Sequence, residues 1–224
     1  MAAQKTPYIF IDTCSLLETC WNTDRSSKTC TYSNTKEHVF WNSELPALET
    51  IGTIIIPTRV YEELQGFANG KKDAELANRS QHLLFLMEPL INEKRIQIVG
   101  DKNDPFADSI LLSVALKFIT KRNLLFITQD RALAKDLDSI GNFESIARTC
   151  HEIKVRRIGK SGKVKAHRGL KRKADTNSLA KKSSPTANPI SKKSPEKASG
   201  HNNLGALQQT KSKATSAVRQ WWEA

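Results

Sequence analysis

Asp12, Glu63, Asp108 and Asp130 are the side chains whose type and spacing in this sequence could do chemistry. Asp12 directly follows the apolar run Tyr8 to Ile11, and Gln129 and Asp130 follow Leu124 to Thr128. Glu63 lies on the segment after Thr53 to Thr58, and Asp108 on the segment after Arg95 to Val99. A carboxylate at the exit of a buried strand is costly unless something compensates its charge. Several brought together repel one another and raise each other's pKa values unless a cation neutralises them. The set contains no His or Cys, so it suits hard divalent ions bound through oxygen, Mg²⁺ or Mn²⁺. The matching reaction is metal-assisted phosphodiester hydrolysis, in which a metal-activated water attacks and metal charge stabilises the developing oxyanions. Asp104 lies four residues before Asp108 on the same helix face, as an auxiliary ligand or simply a helix N-cap. Asp130 could also cap the helix after it, and Arg131 could pair with a neighbouring acid or touch a substrate phosphate.

The elements that must position these acids read as strands alternating with helices. Tyr8 to Ile11, Thr53 to Ile56, Arg95 to Val99 and Leu124 to Thr128 are short apolar runs of the kind buried on both faces of a parallel sheet. A last strand is expected within His151 to Ile158. In an open parallel sheet the carboxyl ends of the strands share one edge, where ligands bind, so the four acids should converge there. Short helices are expected over Cys14 to Trp21 and Arg131 to Ile140. Longer ones are expected over Lys36 to Glu49, bent or ended by Pro46, and over Asp73 to Lys94, kinked or broken by Pro89. After Thr58 as N-cap, Val60, Leu64 and Phe67 form an inner face that Glu63 shares and Glu62 does not. Asp104-Pro105 should open a helix to about Thr120, with Asp108 on the side of its stripe Leu111, Leu112, Ala115 and Ile119. Asn22 to Thr35 is polar and reads as a loop. The fold class is therefore α/β, a three-layer α/β/α sandwich around a mainly parallel sheet, occupying residues 1–158.

Charge divides the chain. Residues 1–150 hold 17 Lys and Arg against 19 Asp and Glu, whereas residues 151–224 hold 18 against 4. A near-neutral globular part joined to a cationic tail points to a polyanionic partner, most simply the phosphate backbone of RNA. Residues 159–224 are rich in Lys, Ser, Pro, Asn and Ala and too poor in apolar residues to offset their chain entropy. They read as a largely disordered basic tail. Within it, Arg168, Lys171, Arg172 and Lys173 are the candidate phosphate contacts. Trp221-Trp222 either stacks on bases or docks on a protein partner. Four cysteines without a CxxC pair, and no signal peptide or long apolar run, indicate an intracellular protein, cytoplasmic or nuclear, with no membrane span.

FIDTCSLL, RVYEELQGF, DPFADSILLSVAL and LFITQDRALA, in this order and spacing, resemble the motifs of PIN-domain nucleases over roughly Pro7 to Ile158. The resemblance implies an α/β/α fold and single-strand-specific ribonuclease activity. Members of that family include toxin–antitoxin ribonucleases, RNA-processing enzymes and, more distantly, flap endonucleases. It also implies that Asp12, Glu63, Asp108 and Asp130 form the acidic metal site, with Ser15 and Thr128 as the small hydroxyl residues beside it, within reach of nucleic acid. Two stretches lie outside the family's minimal domain, the segment Cys20 to Glu49 and the basic tail. The alternatives are a non-catalytic RNA-binding or assembly factor of the same fold, and a DNA or flap nuclease. A zinc site from Cys14, Cys20, Cys30 and His38 matches no common knuckle spacing.

Overall fold

Along β1 (Tyr8–Ile11), Ile9 and Ile11 face one layer of helices and Phe10 faces the other, and all three are buried. This two-sided burial is why the strand reads as a continuous apolar run. The computed structural model describes residues 6–24, 29–100 and 106–167. Asp104 and the tail residues Arg168, Lys171, Arg172, Lys173, Trp221 and Trp222 lie outside the described residues.

The sheet is formed by β1, β4 (Thr53–Pro57), β5 (Ile96–Val99), β6 (Leu124–Ile127), β7 (Ile153–Ile158) and β8 (Val164–Ala166). Its order is β5-β4-β1-β6-β7-β8, and only the β7–β8 pairing is antiparallel. From β1 the chain builds outward through β4 to β5, then returns to place β6 on the other side of β1. That reversal makes the β1–β6 boundary the switch point of the sheet, where a crevice opens at the carboxyl ends.

On one face lie α4 (Thr58–Ala68) and α5 (Ala74–Asn92), with Val60, Leu64, Leu83 and Met87 packed on Ile9, Ile11, Ile54 and Ile56. On the other lie α6 (Ala107–Phe118) and α7 (Arg131–Gly141), packed on Phe10, Ile55 and Phe126. Phe10 and Phe126 stack across the switch point with ring centroids 5.2 Å apart. The observed class is thus α/β, with a mainly parallel sheet flanked by helices.

Several expectations are corrected. The helix after β1 is α1 (Thr13–Leu17), shorter than Cys14 to Trp21. The stretch read as a loop contains an antiparallel pair, β2 (Trp21–Asp24) and β3 (Thr29–Tyr32). Its polar residues alternate with Trp21 and Cys30, and Trp21 is buried against the body of the protein. The helix expected over Lys36 to Glu49 is α2 (Asn34–Val39), a π-helical turn (Phe40–Glu44) and α3 (Leu45–Ile51) in direct succession. Pro46 does not end it, because the wide turn just before it absorbs the missing N–H. Pro89 likewise sits inside α5, on its exposed side, without breaking it. Pro57 takes the N-cap position of α4, and the Thr58 hydroxyl instead donates to the Gly100 carbonyl at 2.9 Å. A short helix, α8 (Glu144–Ala147), precedes β7 and was not expected.

The ordered unit also extends past Ile158. Residues 159–167 form a turn and β8, which pairs with the end of β7, and His167 is buried. The turn is fixed at Gly162, whose φ of +80° suits glycine, and a side chain there would meet the Lys36 carbonyl. Lys36 itself is buried, its ammonium donating to Glu18 at 2.7 Å and to the Trp21 carbonyl at 2.5 Å. This one cation ties α2 to the start of the β2–β3 hairpin. Among the described residues, no helix is long and apolar enough to cross a membrane.

Candidate metal centre at the carboxyl edge of the sheet

Asp12 leaves β1 at the switch point. Its amide N–H donates to the Ile127 carbonyl at 3.1 Å, so the ladder to β6 continues one residue past the strand. Its side chain is only 5 % exposed, too buried to shed charge into water. The Thr128 hydroxyl donates to Oδ2 at 2.8 Å and the Cys14 thiol donates to the same oxygen at 2.6 Å. Burial pushes the Asp12 carboxyl above its ordinary range and Asp130 adds to the rise, against the hydrogen bonds from Cys14 and Thr128. Cys14 is pushed up to about 12 by burial and by the Asp12 charge, so at neutral pH it is a thiol.

Glu63 is half-buried on α4, and the Thr13 hydroxyl donates to its Oε2 at 2.7 Å. Thr13 therefore links the residue after Asp12 to a carboxylate fifty positions away. Glu62 points elsewhere, toward Arg59 at 3.6 Å. Asp108 stands in the first turn of α6. It is exposed, at the edge of a buried stripe made by Ala107, Ile110, Leu111, Val114, Ala115 and Phe118, rather than within that stripe as expected. Burial raises its pKa, and the charges of Asp12, Asp130 and Glu63 raise it further. All four acids are thus near enough to feel one another's charge.

Asp130 has a second task. Its Oδ1 accepts from the amides of Ala132 and Leu133 at 2.6 and 3.1 Å, capping α7, while its own N–H donates to Thr128 Oγ1 at 3.0 Å. Thr128 is thus the hub between Asp130 and Asp12. It is buried, and so is Ser15, whose hydroxyl has no hydrogen-bond partner. Both side chains are thus withdrawn from the surface, and Thr128 positions Asp12. Arg131 is exposed beside Asp130.

Comparison of the chain with known protein families, with curated proteins and with solved structures returned no match. The local chemistry must therefore carry the reading. The donors at the sheet edge are all carboxylate oxygens, and two of the four are held above their usual pKa by burial and by the others' charge. A hard divalent cation fits such a set, because it relieves the repulsion without requiring a soft ligand. Asp12, Glu63 and Asp108 are the residues that could hold it, with Asp130 close enough to add its charge.

A second cluster was not legible in the sequence. Cys20, Glu37 and His82 form the one group of His, Cys, Asp or Glu ligands among the described residues whose donor atoms all lie within 4.8 Å of one another. The acids at the sheet edge are not drawn that close. Cys20 precedes β2, Glu37 is on α2 and His82 is on α5. No spacing rule links positions so far apart. Cys14, Cys30 and His38, which with Cys20 match no zinc-knuckle spacing in the sequence, are not in the group.

Proposed function

We propose that this chain is a divalent-metal-dependent endoribonuclease of PIN-domain type, hydrolysing phosphodiester bonds in single-stranded RNA. The observation that carries the reading is Asp12 at the switch point of the sheet, with its neighbour Thr13 bonded to Glu63 and with Thr128 bonded to both Asp12 and Asp130. The acids come from four separate segments that end or begin near the carboxyl edge of a mainly parallel sheet, where ligands bind in such folds. Structural ion pairs would neutralise one another, whereas this group repels itself and calls for a cation. Supporting it are the motif resemblance over Pro7 to Ile158 and the excess of Lys and Arg after residue 150.

In this reading Asp12, Glu63 and Asp108 hold Mg²⁺ or Mn²⁺, and Asp130 supplies further negative charge. The bound ion would supply a more acidic water and charge stabilisation for the phosphate oxygens. The protein's own residues do the positioning. Thr128 and Cys14 fix the Asp12 carboxylate, and Thr13 fixes Glu63. The basic residues Arg168, Lys171, Arg172 and Lys173 would hold the RNA backbone without reading its sequence, so binding weakens with salt.

The test is cleavage of single-stranded RNA by the full chain with Mg²⁺ or Mn²⁺, beside Asp12→Asn and Asp108→Asn, with single-stranded DNA and flap substrates in parallel. Cleavage of RNA lost in both variants supports the reading. Equal cleavage by parent and variants sinks the site, and cleavage of DNA or flaps in preference to RNA replaces the substrate. One observation favours a second reading, a non-catalytic RNA-binding factor: the edge acids do not approach one another as closely as Cys20, Glu37 and His82 do. Truncation after His167, where the described fold ends, separates the two. An enzyme keeps its cleavage and loses affinity; a tail-driven binder loses both binding and function.

A further inference from the structure

We propose that Cys20, Glu37 and His82 form a second cation site, selective for Zn²⁺ and similar borderline ions, that clamps the 20–44 segment to α5. The site is separate from the sheet edge in both position and chemistry. It offers one sulfur, one nitrogen and one carboxylate oxygen, a donor set that suits Zn²⁺ and rejects Mg²⁺.

The three donor atoms lie within 4.8 Å of one another, and His82 Nε2 is 2.6 Å from Glu37 Oε2. Around a tetrahedral Zn²⁺, with bonds of about 2.0–2.3 Å, neighbouring donors stand about 3.3–3.5 Å apart. Side-chain adjustment of about an ångström would therefore suffice, with His82 and Glu37 moving slightly apart to admit the ion. Cys20 is completely buried, whereas the side chains of Glu37 and His82 are 18 % and 35 % exposed, so an ion reaches the site from their side. The fourth position then faces solvent, as in zinc sites that retain a water.

The surroundings carry the independent argument. The Trp41 indole N–H is buried, with no hydrogen-bond acceptor within ordinary bonding distance. It lies near enough to Cys20 to favour the thiolate form. A buried, unpartnered N–H beside a sulfur suits a metal-bound thiolate better than a neutral thiol, which accepts weakly. The His82 ring is gripped edge-on by Trp21 and Tyr32, at centroid distances of 5.4 and 5.8 Å, which fixes its plane. Without a cation, burial pushes Cys20 up to about 12, and the nearby Glu37 charge adds to the rise. Binding must therefore release the thiol proton to solvent, leaving two negative ligands and one neutral imidazole around a 2+ ion.

Co²⁺ is the probe, because a thiolate ligand gives it a charge-transfer absorption that carboxylates do not. Titrating the full chain with Co²⁺ should develop this absorption to one equivalent, and Zn²⁺ should displace it while Mg²⁺ does not. The signal should persist in Cys14→Ser and vanish in Cys20→Ser. His82→Ala should weaken Co²⁺ binding by more than about a hundredfold, beyond the 10–100-fold cost of losing an outer-sphere partner. Should Cys20→Ser fail to fold, His82→Ala decides, since its side chain is partly exposed. No thiolate signal, a signal that follows Cys14 instead of Cys20, or His82→Ala binding as tightly as the parent would each overturn the proposal. None of these results bears on RNA cleavage, so this site and the sheet-edge site stand or fall separately.

Discussion

The same kind of side chain behaves in opposite ways at two places in this molecule. At the sheet edge, Asp12 and Asp108 sit above the ordinary carboxylate range, because burial and neighbouring acids both oppose their charge. In the 20–44 segment, burial also works against Glu37, yet hydrogen bonds from His82, Cys20 and Tyr32 outweigh it and hold the group below that range. One region stores repulsion and the other is already satisfied. A cation at the edge would therefore relieve a cost that folding left behind. A cation at Glu37 must compete with hydrogen bonds that already exist. The edge therefore has more to gain from a cation than the segment does.

The sharpest way to break this contrast is Asp12→Asn. Cleavage should fall on the order of 10²–10³-fold, the scale of losing one electrostatic stabiliser, while circular dichroism and thermal midpoint stay at or above those of the parent. A large loss of stability instead would mean that Asp12 holds the fold. Thr128→Val removes the donor to Asp12 and should lower cleavage or metal affinity by about 10–100-fold, read in a metal titration of the rate. Lys36→Met should do the reverse: unchanged cleavage, but a stability loss of up to about 3 kcal/mol in urea unfolding, because Glu18 and the Trp21 carbonyl lose their buried donor.

The smallest expected effect is in pH dependence. Folded-state pKa values above the unfolded ones mean that the native state binds more protons in the window between them. The contribution of Asp12 and Asp108 to stability should therefore fall as pH rises from about 4 through their raised folded values. Denaturant midpoints measured across that window should show a shallower decline in the Asp12→Asn, Asp108→Asn double variant, and in the parent with Mn²⁺ present. An unchanged slope would show that the edge is not the self-repelling region described.

The sheet and its acids were legible because their signals are local. Ile9 to Ile11, Ile54 to Ile56 and Leu124 to Ile127 are apolar runs that only a two-sided core explains, and the acids follow each at a short, countable distance. The role of Asp130 as the cap of the following helix was also readable from its place before Arg131 to Gly141. The 20–44 segment was not, because what stabilises it is distant in sequence. Trp21 packs edge-on to His82 and beneath Arg79, whose guanidinium carbon is 5.4 Å from its ring centre, both on α5. β8 was missed for a related reason: Val164–Ala166 is only three residues long, with Lys163 before it and Lys165 within it. Such lysines suit an edge strand, whose open backbone they protect from unwanted pairing.

The antiparallel sense of β8 sets the starting direction for everything after it. Ala166 lies opposite Arg156, roughly 7 Å (two residues at about 3.4 Å each) back along the strand from Ile158. The polypeptide at His167 is thus heading away from the carboxylates, toward the rear of the parallel strands. A polyanion spanning from the crevice to the point where the described chain ends, at His167, would have to pass around the flank of the sheet. Length of substrate, and not base sequence, is then what the pairing of the two would measure.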